Sequence, residues 1–403
     1  MRAIKHITCL LLLLVSSHLR GQNVMTSSPY SMFGIGELTT GSNGANAGMG
    51  NVSIGMRGKK LVNMDNPAGL SGVDSCRLLA EVYAFAKWEK YYSGGNENKS
   101  FTGNFSGMSL AGRIVPHWYA GVGLMPYSAV GYYFQTEQEL EGSPGDYYTS
   151  TFMGNEGFSK FHLTNAFLLF PSLSVGMNIG YVFGNMSNIE TQSSMEVSEE
   201  MSGQAWAFDF GVQYLWRLDK ELEWVWGATY SLSTEMRLHK EKTLTDSYSE
   251  MSLQKSDVRM RLPQKIGIGT SLTYKKTTYA LDYLFNQYAN IYSDDSRIDF
   301  RNSHELRAGF CYHPNGFSSA SIWKRMEYKL GASIATPYYL NIRDKSGWTW
   351  RATAGLCFPV LNGQLNISAY YDHVTYPQQS INQQVVGVVC SLTLSELFHH
   401  VRL

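Results

Sequence analysis

Charge is scarce in this chain. Asp, Glu, Lys and Arg make up 16% of its residues, against roughly 25% in a soluble domain. Acidic and basic residues cancel, 33 against 33, and no basic patch stands out, so nucleic acid is not expected as a partner. Beyond the N-terminal leader there is no apolar run long enough for a spanning helix, which needs about 20 residues. Cysteine is sparse. Cys76, Cys311, Cys357 and Cys390 follow the leader, none with CxxC spacing. Neither a zinc site nor a redox pair is therefore expected. Each sits among apolar neighbours as a small buried hydrophobe, and a disulfide between two of them stays open. No nucleophile constellation is visible. Gly107-Met108-Ser109-Leu110-Ala111 has the outline of a nucleophile elbow, but without its last Gly and in a strand that no helix follows. The chain is expected not to be an enzyme, with no catalytic residue, no metal and no cofactor.

What is present begins with a leader. Arg2 and Lys5 precede the apolar stretch Ile7–Val15 and a polar tail ending near Gly21. This predicts a secretory signal peptide over residues 1–21. Residues 22–75 are rich in Gly, Asn and Ala, with Met32, Phe33, Ile35, Met49 and Met56 interspersed. That segment is too apolar for a disordered tail and too Gly-rich for a long helix. A compact, irregular plug is expected.

From Cys76 the sequence alternates. Leu78, Ala80, Val82, Ala84, Ala86 and Trp88 share one face of a strand; Arg77, Leu79, Glu81, Tyr83, Phe85 and Lys87 share the other. Trp206, Phe208, Phe210, Val212, Tyr214 and Trp216 repeat the pattern, as do Tyr279, Leu281, Tyr283 and Phe285. Period two over ten to twenty residues marks strands with two different faces, and aromatic residues near both ends fit interfacial girdles. The even-numbered connections are tight, as at Pro116-His117 and Lys275-Lys276, except for His313–Lys324. The odd ones are polar stretches, expected to be long loops: Glu89–Lys99, Glu137–Lys160, Asn188–Ser202, Lys240–Lys255 and Asn290–Asn302. This rhythm predicts an all-β chain, a transmembrane antiparallel β-barrel of about 14 strands over residues 76–403. The N-terminal hatch, or plug, over residues 22–75 then sits in its lumen. The signal peptide and the barrel together predict a Gram-negative outer membrane, with lipid around the wall.

Several motifs sharpen this. SPYSMFGIGEL stands at Ser28–Leu38 and GANAGMGNVSIGMRG at Gly44–Gly58; Asn66-Pro67-Ala68 precedes the first strand, and GLMPYSAVGY lies at Gly123–Tyr132 in the third. In these motifs and their order the chain resembles the long-chain fatty acid transporter (FadL) family of outer-membrane proteins. The resemblance implies a fourteen-stranded barrel with an N-terminal hatch. It also implies passive uptake of hydrophobic, fatty-acid-like molecules and their sideways release through an inward kink of the third strand. Pro126, in that strand, cannot donate to the sheet ladder; Gly121, Gly123 and Gly131 weaken the same strand. These residues are the candidate lateral opening, and Asn66, Pro67 and Ala68 the hatch motif. Candidate lining residues for a greasy cargo are Met32, Phe33, Ile35, Met49, Met56, Leu79, Tyr83 and Phe85, with Arg77 or Lys87 to anchor a carboxylate. The alternative is a non-transporting accessory barrel of an outer-membrane secretion or barrel-assembly complex, whose partners would be the other subunits.

Overall fold

The computed structural model describes residues 26–39, 44–93, 95–139, 145–289, 291, 298–314, 321–341, 347–360, 362–375 and 382–397. The expected signal peptide lies outside the described residues. Fourteen antiparallel strands close into one barrel. In chain order they are β1 (Arg77–Ser93), β2 (Asn96–Val115), β3 in two segments (Trp118–Ala129 and Tyr132–Glu139), β4 (Tyr147–Phe170), β5 (Leu173–Gln192), β6 (Met195–Asp219), β7 in two segments (Leu222–Ser231 and Glu235–Thr245), β8 in two segments (Glu250–Arg261 and Gln264–Tyr274), β9 (Thr277–Gln287), β10 (Ser303–Tyr312), β11 (Glu327–Ala335), β12 (Trp348–Val360), β13 (Gly363–Thr375) and β14 (Asn382–Leu397). β14 pairs back onto β1, from Arg77–Leu397 to Tyr92–Asn382. Closure removes the exposed edges that an open sheet would carry.

The alternation sorts as a spanning wall requires. On β6, Trp206, Phe210, Tyr214 and Trp216 are exposed on the outside, whereas Ala207, Gln213 and Leu215 are buried inside. On β9, Tyr279, Leu281 and Tyr283 face out and Thr278, Ala280 and Asp282 face in. About 9–11 residues suffice for a tilted strand to cross a bilayer; β4 and β6, of 24 and 25 residues, project well beyond that.

This corrects the expectation of long odd loops. Most of Glu89–Lys99, Asn188–Ser202 and Lys240–Lys255 is strand, closed by short turns. Likewise, strand covers the described part of Glu137–Lys160 except at 145–146. Outside a membrane both strand faces meet water, so the apolar alternation fades although the backbone ladder continues. Polarity there was a sign of environment and not of irregular backbone. The described residues of Asn290–Asn302 lie outside the barrel strands; Ile298–Phe300 pairs with Tyr339–Asn341 in a separate small sheet.

Residues 44–75 thread through the lumen as turns and two 3-10 helices, Gly44–Met49 and Pro67–Gly72. An irregular backbone has no ladder to satisfy its N–H and C=O groups, so the wall supplies partners. Asp282 Oδ2 accepts the Ser53 and Ile54 amides at 2.6 and 2.9 Å. Gln213 Nε2 donates to the Ile54 and Met56 carbonyls at 2.9 and 3.0 Å. Asn178, Ser271, Arg307 and Lys329 donate to the carbonyls of Met64, Gly55, Asn51 and Ala45. The inward polar residues of this barrel are, in large part, hydrogen-bond partners of the plug.

Candidate functional site

The wall changes character at β3. β2 and β3 pair from Val115–Trp118 to Met108–Leu124, and among the described residues the ladder between them goes no further. Beyond that point β2 stays paired to β1 as far as Asn96, and β3 stays paired to β4 as far as Glu139. Both strands therefore continue, each held by a neighbouring barrel strand on one side only. The local causes are legible. Pro126 has no N–H to donate, and the β3–β4 register slips between Pro126 and Ser128. On the facing strand, the β1–β2 register slips between Tyr83 and Ala84. Gly107 parts the strands with φ +149, where an added Cβ would lie 2.7 Å from the Tyr83 hydroxyl and 2.9 Å from the Leu124 carbonyl.

The N-terminal segment fills this breach. Glu37 and Leu38 pair antiparallel with Ala129 and Ser128. The Thr39 amide donates to the Tyr127 carbonyl at 3.0 Å, and Thr39 Oγ1 donates to the Pro126 carbonyl at 2.7 Å. Ser31 Oγ accepts the Gly131 amide at 3.0 Å. Further along, Ser27 Oγ donates to Glu89 Oε2 at 2.5 Å. The apolar side of the segment, Tyr30, Ile35 and Leu38, packs into a buried cluster with Val130, Tyr132 and Phe158. Leu38 also donates its amide to the Tyr338 hydroxyl at 3.1 Å; burial holds that phenol well above its ordinary pKa, so it stays neutral.

Behind the segment lies a cavity of about 200 Å³, bounded by Tyr83, Phe85, Lys87, Pro126, Arg351 and Tyr370 among others. Its charges are partnered. Lys87 Nζ is 3.0 Å from Glu89 Oε1, and Arg351 makes a two-pronged contact with Asp372 at 2.6 and 2.7 Å while lying over the Tyr370 ring. The chamber is therefore amphipathic: aromatic walls with two cations at hand.

The sequence-predicted residues do not converge on one pocket. Tyr83, Phe85 and Pro126 share this cavity. Met32, Phe33 and Ile35 belong to the cluster that fills the breach. Met49 and Met56 line a different cavity, of about 380 Å³, beside Arg57, whose guanidinium burial lowers below its ordinary pKa. Leu79 is buried against Val62, Met64 and Leu70. Arg77 sits at the corner into β1, 3.2 Å from Asp74 and 2.9 Å from Ser395 Oγ. Gly121 and Gly123 are paired on both sides, before the breach. They make room: a Cβ at Gly123 would lie 2.6 Å from His162 Nε2, and one at Gly121 3.4 Å from Met64 Cε. Gly131 lies in the interruption of β3. Asn66, Pro67 and Ala68 are buried. Asn66 Nδ2 donates to the Ile54 and Val212 carbonyls at 2.7 and 3.3 Å and its Oδ1 caps the Ala68 amide at 3.2 Å. Sequence reasoning missed Glu37, Leu38, Thr39, Arg351 and Tyr370. An isolated Glu-Leu-Thr carries no sign that it will pair with a strand some 90 positions away.

Solved structures share this architecture. The Pseudomonas putida toluene transporter TodX matches with a TM-score of 0.59 at 14% identity, over 90% of this chain and 99% of that one. A Pseudomonas aeruginosa FadL homologue matches with 0.58 at 12%, over 90% and 100%. The Ralstonia pickettii toluene transporter TbuX matches with 0.57 at 14%, over 89% and 99%. At such identities the likeness is one of fold. Among curated protein sequences none matches the chain. Over residues 3–400, however, the sequence fits the model of the BamG family, and the chain belongs to that family.

Proposed function

We propose that the protein is an outer-membrane channel for passive uptake of small hydrophobic molecules, exported by its N-terminal signal peptide. In this reading residues 22–75 form the hatch, and the weak place in the wall is the breach beside Pro126. The observation that carries it is the loss of β2–β3 pairing beyond Met108–Leu124, directly in front of a cavity that Pro126 helps to line. A cargo that leaves through such a gap enters the bilayer without crossing water, and burial of its apolar surface drives the step. The cavity, at about 200 Å³, is smaller than the 300–1,000 Å³ of ordinary ligand pockets. It suits a small ring or part of a chain, held until the segment around Thr39 moves aside. That the fold neighbours include proteins described as toluene transporters supports cargo of this size.

The test is a cross-link. Leu38 and Ser128 are direct antiparallel partners, and such pairs have Cα atoms about 4.5–5.5 Å apart, within disulfide reach. In a Leu38→Cys/Ser128→Cys variant, uptake of a small hydrophobic probe should fall when oxidised and return on reduction. Equal uptake in both states would sink the channel reading.

A second reading is an accessory barrel in an outer-membrane assembly complex. It is supported by the plug's dense attachment to the wall through Asp282, Gln213, Asn178 and Lys329. Copurification of the native protein with stoichiometric outer-membrane subunits, together with indifference of uptake to its deletion, would favour it.

A further inference from the structure

The end of the barrel opposite the breach carries a cluster that the channel reading does not use. Cys311 and His313 lie two residues apart at the end of β10 and beyond, on its inward face. Glu327 opens β11. Their ligand atoms all fall within 4.8 Å of one another. Cys311 Sγ is 3.8 Å from His313 Nδ1, and His313 Nδ1 is 3.0 Å from Glu327 Oε1. On a tetrahedral zinc ion, with Zn–S about 2.3 Å and Zn–N or Zn–O about 2.0–2.1 Å, such donor pairs sit about 3.3–3.6 Å apart. The observed spacings bracket that value. The other ring nitrogen of His313, Nε2, is 3.1 Å from Thr278 Oγ1, the kind of outer contact that orients a ligating imidazole.

From this arrangement we infer a binding site for a zinc-class divalent cation, with Cys311, His313 and Glu327 as its protein ligands. A thiolate, an imidazole and a carboxylate are the donor types such an ion takes. The fourth position faces the cavity of about 380 Å³, where water or a ligand atom completes the shell. Cys357 is not the fourth ligand. Cys311 pairs with Lys329 of β11 and Glu327 pairs with Cys357 of β12, so a whole strand separates the two thiols. At about 4.8 Å per strand their backbones stand about 10 Å apart, beyond disulfide reach as well. Cys357 Sγ instead donates to Gln364 Oε1 at 3.7 Å. An ion here ties the end of β10 to the first residue of β11.

The experiment uses the full-length barrel in detergent, reduced and freed of metal, then titrated with Co²⁺ as a spectroscopic stand-in for Zn²⁺. Near-stoichiometric uptake with a thiolate-to-cobalt charge-transfer band is expected, and Zn²⁺ should displace it. Cys311→Ser should abolish the band. His313→Gln should weaken binding at least tenfold, while a variant lacking the exposed Cys76 and Cys390 should keep both band and affinity. Heat-resistant migration on a gel verifies that each variant is folded. Absence of the band in folded, reduced protein, or its survival in folded Cys311→Ser, would overturn the site.

Discussion

Asn66 shows how much one side chain can hold. It is fully buried and at once caps the helix that starts at Pro67 and ties that helix to Ile54 and to Val212 of β6. Asn66→Ala loses a cap worth about 1 kcal/mol and strands buried backbone groups at about 1–2 kcal/mol more. A loss of about 2–3 kcal/mol is expected, read by urea unfolding in lipid. Gly211 is its counterpart in the wall, where a Cβ would come within 2.1 Å of Asn66 Oδ1. Gly211→Ala should therefore destabilise by a similar amount, and the two changes together should cost clearly less than their sum, which a double-mutant cycle measures. Lys160 and Asp209 make a second test inside the lumen. They lie 2.6 Å apart with side chains only 14% and 19% exposed, so removing Lys160 leaves a largely buried carboxylate without its direct ion-pair partner. Lys160→Met should cost about 3 kcal/mol, and Lys160→Met with Asp209→Leu distinctly less.

β3 is the element on which the functional argument turns. A strand in a closed barrel is normally paired on both edges. β3 gives up one edge beyond Leu124 and borrows a two-residue partner from the plug. Pro126→Val restores a donor in that strand and should extend the β2–β3 ladder, slowing uptake of a hydrophobic probe; hydrogen exchange at residues on β2 beyond Met108 would report the new pairing independently. The element also shows where sequence was informative. Pro126 was visible as a residue that a central strand does not tolerate. Gly107 carries no such signal, since its role appears only when Tyr83 and Leu124 stand beside it.

Side chains of the wall complete the backbone hydrogen bonds of the segment from Ala45 to Met64. Removing residues 26–39 should leave the barrel closed through the β14–β1 seam yet uncover the breach. Single-channel recording should then show a larger and noisier conductance than the full chain, and cells should become sensitive to bulky antibiotics normally kept out. An unaltered conductance would place the seal in the deeper plug, residues 44–75, and not at the breach.

Period-two alternation is a local property; together with the length of the alternating segments and the rhythm of their connections it foretold a barrel of about 14 strands and the outward faces of strands such as β6 and β9. The Gly-rich composition of residues 22–75 predicts a segment with little regular structure of its own, and residues 44–75 are turns and two short 3-10 helices. Pairing register is non-local. Only the folded chain decided that Thr39 meets Pro126, that polar stretches such as Lys240–Lys255 continue as strand, and that cysteines far from CxxC spacing include one that sits beside a histidine and a carboxylate. Such contacts depend on which residues of neighbouring strands stand opposite one another, and a shift of one position would turn each of those side chains to the other face of the wall.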